Sequence, residues 1–288
     1  MGAQMVSGQN KDQEWIGHLD PNIVHLPFPF PWVLEQRNIS GAQLFEEHLK
    51  ILTYEKGIDE NAIAAFMAES FQGWGALFYP KDYIQALREW SRQRNILLIF
   101  DEIQAGFGRC GSLFAYEHYA VDPDLVCCGK GVSGSIPLSA VLGRGDIIDL
   151  DPAYTSTHGG HPIACAAGLA NLEVLESENL VYESARKEAI FWSHIEGWRQ
   201  RFTNHIGRIY GRGCLFGVFI IRENEPDNPD NLNNELCDRI VEESMRRGVF
   251  LIRTGRGTLK FGPPLNIPDD ALIEALEVIG EILADFNI

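Results

Sequence analysis

The chain has 288 residues, 45% of them hydrophobic, which is enough for a sizeable buried core in one large domain or two smaller ones. Its 24 Lys and Arg stand against 40 Asp and Glu, a net charge of -16 whose field repels polyanions, so nucleic acid is excluded as a partner unless a local basic patch overrides it. No apolar run approaches the roughly 20 residues of a membrane span, and residues 1–12 lack the regions of a secretory leader. The cysteines at 110, 127, 128, 165, 214 and 237 have no C-x-x-C and no framework spacing. A cytoplasmic protein with reduced thiols and no membrane partner is the expectation.

His25-Leu-Pro-Phe-Pro-Phe-Pro-Trp32 alternates prolines, which forbids helix and central strand and predicts an extended loop. Asn38-Ile39-Ser40 is a sequon that matters only in a secreted protein. The apolar run 63–67, ending in Glu69, reads as a strand; 81–94 carries Tyr83, Ile84, Leu87 and Trp90 at helical spacing; 96–100 is a second strand, ending in Asp101. A helix between two continuously apolar strands implies a right-handed crossover in a parallel sheet covered on both faces. The run 125–128 ends in Gly129-Lys130, and a further strand, 138–142, follows after only seven residues. That is too short for a parallel crossover, so this strand is expected to be antiparallel.

Helices are predicted over 163–176 and 180–202. Beyond them come a strand at 215–221, an amphipathic helix at 232–247, strands at 249–252 and 259–261, and a closing helix at 269–286. Residues 1–175 then form part of a large α/β domain, with a mostly parallel sheet and one antiparallel strand, and 176–288 a smaller C-terminal α+β domain.

Ligands bind at the carboxyl ends of strands in open α/β sheets. Three successive strands here end in Glu69, Asp101 and Lys130, so two acids and an amine converge on one edge. The spacing alone serves equally well for Asp101 and Glu102 as helix caps and for Lys130 as a solvated lysine in a glycine-flanked turn.

The segment Ile96-Leu-Leu-Ile-Phe-Asp-Glu-Ile-Gln-Ala-Gly-Phe-Gly-Arg-Cys-Gly111 is followed by Phe114-Ala-Tyr-Glu-His118, Pro123-Asp124, Gly129-Lys130-Gly131 and Ser156-Thr157-His158-Gly159-Gly160-His161-Pro162. Together with Arg212-Gly-Cys-Leu-Phe-Gly217 and Pro263-Pro264-Leu265, these resemble the class III aminotransferases over nearly the whole chain. The resemblance implies fold type I of the pyridoxal-phosphate (PLP)-dependent transferases, like aspartate aminotransferase. It also implies amino-group transfer from an amino acid or amine to a 2-oxo acid, through a Schiff base on Lys130.

Asp101 would then pair with the pyridinium nitrogen, Ile103 pack on the ring, Gln104 bond the phenolic oxygen, and Thr157 reach the phosphate of the neighbouring subunit in a homodimer. Lys130 would sit just past a buried strand, facing Asp101 and desolvated. Glu69 and Lys260 would contact substrate. The family usually has arginine where Lys260 stands, and a lysine offers a point charge without the bidentate fork, which argues against a 2-oxoglutarate acceptor. The family's Gly/Ser-rich phosphate loop and ring-stacking aromatic have no counterpart in this sequence, so the chain resembles an N-terminally truncated member. A racemase, aminomutase or decarboxylase of the same fold is the nearest alternative, and a non-catalytic dimerisation module the alternative from another class.

Overall fold

The structure, a computed structural model, describes residues 1–8, 10–151, 153, 155–223, 228 and 231–286. After a short helix α1 (Gly2–Val6), residues 25–30 form neither helix nor strand, as their prolines demand, but Pro31 opens a helix, α2 (Pro31–Arg37). The predicted loop therefore stops short of Trp32: at the first helical position the missing proline N–H is no loss. Trp32 is buried against Leu77 and Phe219. Helix α3 (Gly41–Lys50) starts at a capping box in which Ser40 and Gln43 satisfy each other's backbone N–H groups, so Ser40 of the sequon is a helix cap.

The next elements are β1 (Ala65–Glu69), β2 (Phe71–Gln72), β3 (Leu77–Phe78), α4 (Lys81–Gln93), β4 (Leu97–Asp101), β5 (Leu125–Cys128) and β6 (Ala140–Gly143). One sheet has the order β1-β4-β5-β6. Its first three strands are parallel, and β6 runs antiparallel to β5, as the short connection required. Strand β6 begins at Ala140, two residues later than expected. Helix α4 buries Tyr83, Ile84 and Leu87 against Leu98 and Phe100 of β4, which fixes the crossover over the sheet. Strands β2 and β3 form a separate hairpin.

Helices α5 (Gly145–Ile148), α6 (Pro162–Ser177) and α7 (Leu180–Arg201) lead to β7 (Ile206–Arg212), β8 (Leu215–Ile220), α8 (Asn234–Arg246), β9 (Ile252–Arg253), β10 (Thr258–Phe261) and α9 (Asp269–Asp285). The second sheet has the order β7-β8-β10-β9, antiparallel throughout. Its core packs Phe191, Ile195, Phe216, Val218, Ile240 and Leu276 together. Strand β7 was not expected, and the expected strand 249–252 pairs only from Ile252 onward. Largely buried Arg109 joins the loop after β4 to the second sheet by donating to the carbonyls of Cys214 (3.3 Å) and Pro263. Among the described residues no helix is long and apolar enough to cross a membrane.

Candidate active site

Parallel pairing in register sets Glu69 beside Asp101 and Asp101 beside Cys127, just before Lys130. The three strand ends therefore meet at one edge of the sheet. The strand pleat sends the adjacent acids Asp101 and Glu102 different ways. Asp101 Oδ1 accepts from the Ile103 N–H at 2.9 Å in a local turn. Glu102 is fully buried and accepts from the N–H groups of Ala115 (3.0 Å) and Tyr116 (2.8 Å), so it caps the short helical turn Ala115–Tyr119. Burial raises the Glu102 pKa, and the Ala115 N–H pulls against that rise. Capping thus belongs to Glu102 across the loop, which leaves the Asp101 carboxylate at the sheet edge.

Lys130 has φ 37°, a left-handed conformation that costs a non-glycine residue on the order of 1–2 kcal/mol. Its side chain is exposed, so the desolvation expected of it is not found. Preceding Gly129 is buried, and a Cβ there would lie 3.1 Å from Ile103 Cγ2. The missing side chain is what lets Ile103 lie against the backbone leading into Lys130.

Gly73, in the turn between β2 and β3, ties the remaining residues together. Its N–H donates to Glu69 Oε2 at 2.9 Å, and its carbonyl accepts from Lys260 Nζ at 3.1 Å. A Cβ on Gly73 would come within 2.2 Å of Gln104 Oε1, so Gln104 stands directly beside this turn. Glu69 keeps part of its surface open to solvent, yet protein packed round its carboxyl dominates and pushes its pKa above the usual range. The Gly73 N–H opposes that shift, and the Asp101 charge adds to it. Lys260, on β10, is 9% exposed; burial brings its pKa down to about 8, against the pull of Glu69 and helped by the charge of Lys130. An open cleft of about 350 Å³ lies between the hairpin and the second sheet, lined by Glu69, Gly73, Trp74, Gln104, Ile252 and Lys260 among others.

The depressed Lys260 pKa has a measurable sign. Between about 8 and its ordinary 10.5 the folded chain has shed a proton that the unfolded chain keeps, so stability rises with pH across that window. Lys260 should contribute a rise on the order of 2 kcal/mol, read as the difference between the wild type and Lys260→Met, because the buried thiols, whose pKa values burial raises, pull stability down at alkaline pH in both proteins. Urea midpoints measured from pH 7 to 10.5 check this; equal slopes in both proteins would show that Lys260 is not desolvated.

Thr157 stands apart, exposed in the turn 157–160, and makes no hydrogen bond among the described residues. His158 and His161 are also exposed, and His161 Nδ1 accepts from the Ile163 N–H at 3.3 Å as the cap of α6. Sequence reasoning thus located Glu69, Asp101, Ile103, Gln104, Lys130 and Lys260 around one place. It missed Gly73, Trp74 and Ile252. The only sequence signal for them was the Gly73-Trp74-Gly75 sandwich, a tryptophan between two residues that allow close backbone approach.

An amine and two carboxylates at the ends of adjacent parallel strands stand where open α/β sheets bind their ligands. A profile of the family described as aminotransferase class III matches residues 1–283, and the chain belongs to that family. It is 32% identical over 282 residues to a 4-aminobutyrate aminotransferase of Mycobacterium tuberculosis, covering 93% of this chain and 61% of the relative. It is 30% identical over 300 residues to an alanine/serine racemase of Pyrococcus horikoshii, covering 99% of this chain and 61% of the relative. Among solved structures, an (S)-enantioselective omega-transaminase from Thermomicrobium roseum superposes with a TM-score of 0.82 at 28% identity, covering 98% of this chain and 65% of that one. The chain thus spans less than two thirds of the length of these relatives.

Proposed function

We propose that this chain carries the lysine-bearing part of a PLP-dependent aminotransferase that moves an amino group between an amino acid or amine and a 2-oxo acid. The observation that carries this reading is the register of β1, β4 and β5, which gathers Glu69, Asp101 and the left-handed Lys130 at one sheet edge.

The residues present fit PLP. Lys130 offers a primary amine for its aldehyde and Asp101 a carboxylate for its ring nitrogen, while Gly129 lets Ile103 pack against the backbone that leads into Lys130. When bound, PLP supplies an electron-withdrawing ring that acidifies the substrate Cα. Lys130 would hold the cofactor covalently and then move the proton at the substrate Cα. Asp101 would hold a proton on the ring nitrogen. Ile103 would cover the ring face, Gln104 would donate to the phenolic oxygen, and Glu69 and Lys260 would orient the substrate. Thr157, exposed and unpartnered among the described residues, would serve the phosphate of a neighbouring subunit in a homodimer.

A division into a cofactor-binding part, 1–175, and a smaller part, 176–288, is supported by a core drawn wholly from residues after 190 around the second sheet. Six unpaired cysteines support a cytoplasmic setting.

The test is turnover with a chiral amino acid in the presence and absence of a 2-oxo acid. Stoichiometric appearance of a new amino acid supports amino transfer. The second reading, racemisation, is favoured by the 30% identity to the Pyrococcus horikoshii racemase; loss of optical rotation without an acceptor would establish it.

A further inference from the structure

We propose that Trp74 and Ile252 form the wall that receives the amino donor's side chain, so the cleft selects an uncharged apolar or aromatic donor over one bearing a second carboxylate. This rests on the aminotransferase reading of the same site.

Trp74 is held in place from three directions. Its neighbours have no room for a side chain: a Cβ on Gly73 would come within 2.2 Å of Gln104 Oε1, and one on Gly75 within 2.5 Å of Gln72 Oε1. Its indole lies on Gly255, where a Cβ would sit 2.0 Å from Nε1. Gly255 is therefore a slot for the ring. Trp74 lines the cleft and remains 39% exposed, so apolar surface faces an incoming ligand.

The second sheet contributes more apolar surface. Phe250 and Ile252 are exposed while Leu251 between them is buried, an alternation that turns the first two to the same, solvent-facing side. Ile252 itself lines the cleft.

Each charged group lining the cleft is already partnered. Lys260 holds the Gly73 carbonyl and Glu69 the Gly73 N–H. Arg253 pairs with Asp238 at 2.5 Å and donates to the Thr254 carbonyl at 3.2 Å. With Lys260 only 9% exposed and Arg253 already paired to Asp238, a second carboxylate would find little open cationic surface and would place its charge beside Glu69. An apolar group has only to displace water from Trp74 and Ile252, which is favourable.

Calorimetric titration of the 288-residue protein with 3-phenylpropanoate and with glutarate, two unreactive acids that differ at one end, tests this without cofactor. The aromatic acid should bind at least about tenfold more tightly. Trp74→Ala should erase that preference, Gly255→Ala should weaken it by pushing the indole from its slot, and Trp74→Phe should keep most of it, all with thermal midpoints near wild type. Equal or tighter binding of glutarate, a preference that survives both Trp74→Ala and Gly255→Ala, or no saturable binding of either acid would overturn the proposal. Failure of PLP to attach at Lys130 with the aromatic preference intact would remove the catalytic reading alone; attachment without the preference would remove only this one.

Discussion

An Asp101→Asn protein is expected to keep its fold and its uptake of PLP while losing about 100-fold or more in turnover. The fold should survive because Asn Oδ1 can still accept from the Ile103 N–H, the hydrogen bond that Asp101 makes now. What disappears is the charge. A neutral amide cannot hold a proton on the ring nitrogen, and the ring then withdraws electrons poorly. The substitution should also leave a mark that a merely structural residue would not. The Asp101 charge helps to raise the Glu69 pKa, so the Glu69 titration should move down toward the ordinary carboxylate range. Amino-transfer rates with saturating donor, and the Glu69 titration followed by carbon NMR, check both halves. Wild-type turnover would remove Asp101 from the mechanism.

Gly213→Ala is expected to cost roughly 2–5 kcal/mol of stability, the sum of left-handed strain and overpacking. Gly213 has φ 57°, and its missing side chain faces backbone. A Cβ would lie 2.4 Å from the Gly111 nitrogen and 2.6 Å from the Cys110 carbonyl carbon, atoms that cannot swing aside. The same turn carries the Gly213 N–H bond to Glu188 (2.8 Å) and the Cys214 N–H bond to the Arg109 carbonyl (3.0 Å). These contacts join the sheet that carries Lys130 to the sheet that carries Lys260, so the cleft should loosen together with the fold. Urea denaturation and the affinity of a cleft ligand measure the two effects. An unchanged midpoint would mean that the two segments approach less closely than described.

The sheet bearing Asp101 was legible because its strands are continuous apolar runs and because the short stretch after Lys130 leaves too little chain for a parallel crossover. Strand β7 was hidden because Ile206-Gly-Arg-Ile-Tyr-Gly-Arg212 carries two glycines and two arginines, a poor strand composition. Its order comes from pairing with the wholly buried β8. Helix α3 was not expected, although Ser40 and Gln43 have the spacing of a capping box. At the site, the charges that end strands were readable one by one. The cleft was not, since Trp74 meets Gly255 and Gly73 meets Lys260 only after nearly the whole chain has folded. Burial also fell on a different lysine from the one expected: Lys260 is enclosed and Lys130 is open.

That contrast makes the identity of the modified lysine the most direct test. The protein is mixed with PLP at pH 8, reduced with borohydride, digested and mapped. The expected label lies on the peptide containing Cys127-Cys128-Gly129-Lys130 and vanishes in Lys130→Ala. Lys260, whose pKa of about 8 leaves much of its amine neutral under these conditions, is the natural competitor. Label on Lys260, with Lys130 unmodified, would contradict the assignment of Lys130 as the cofactor lysine.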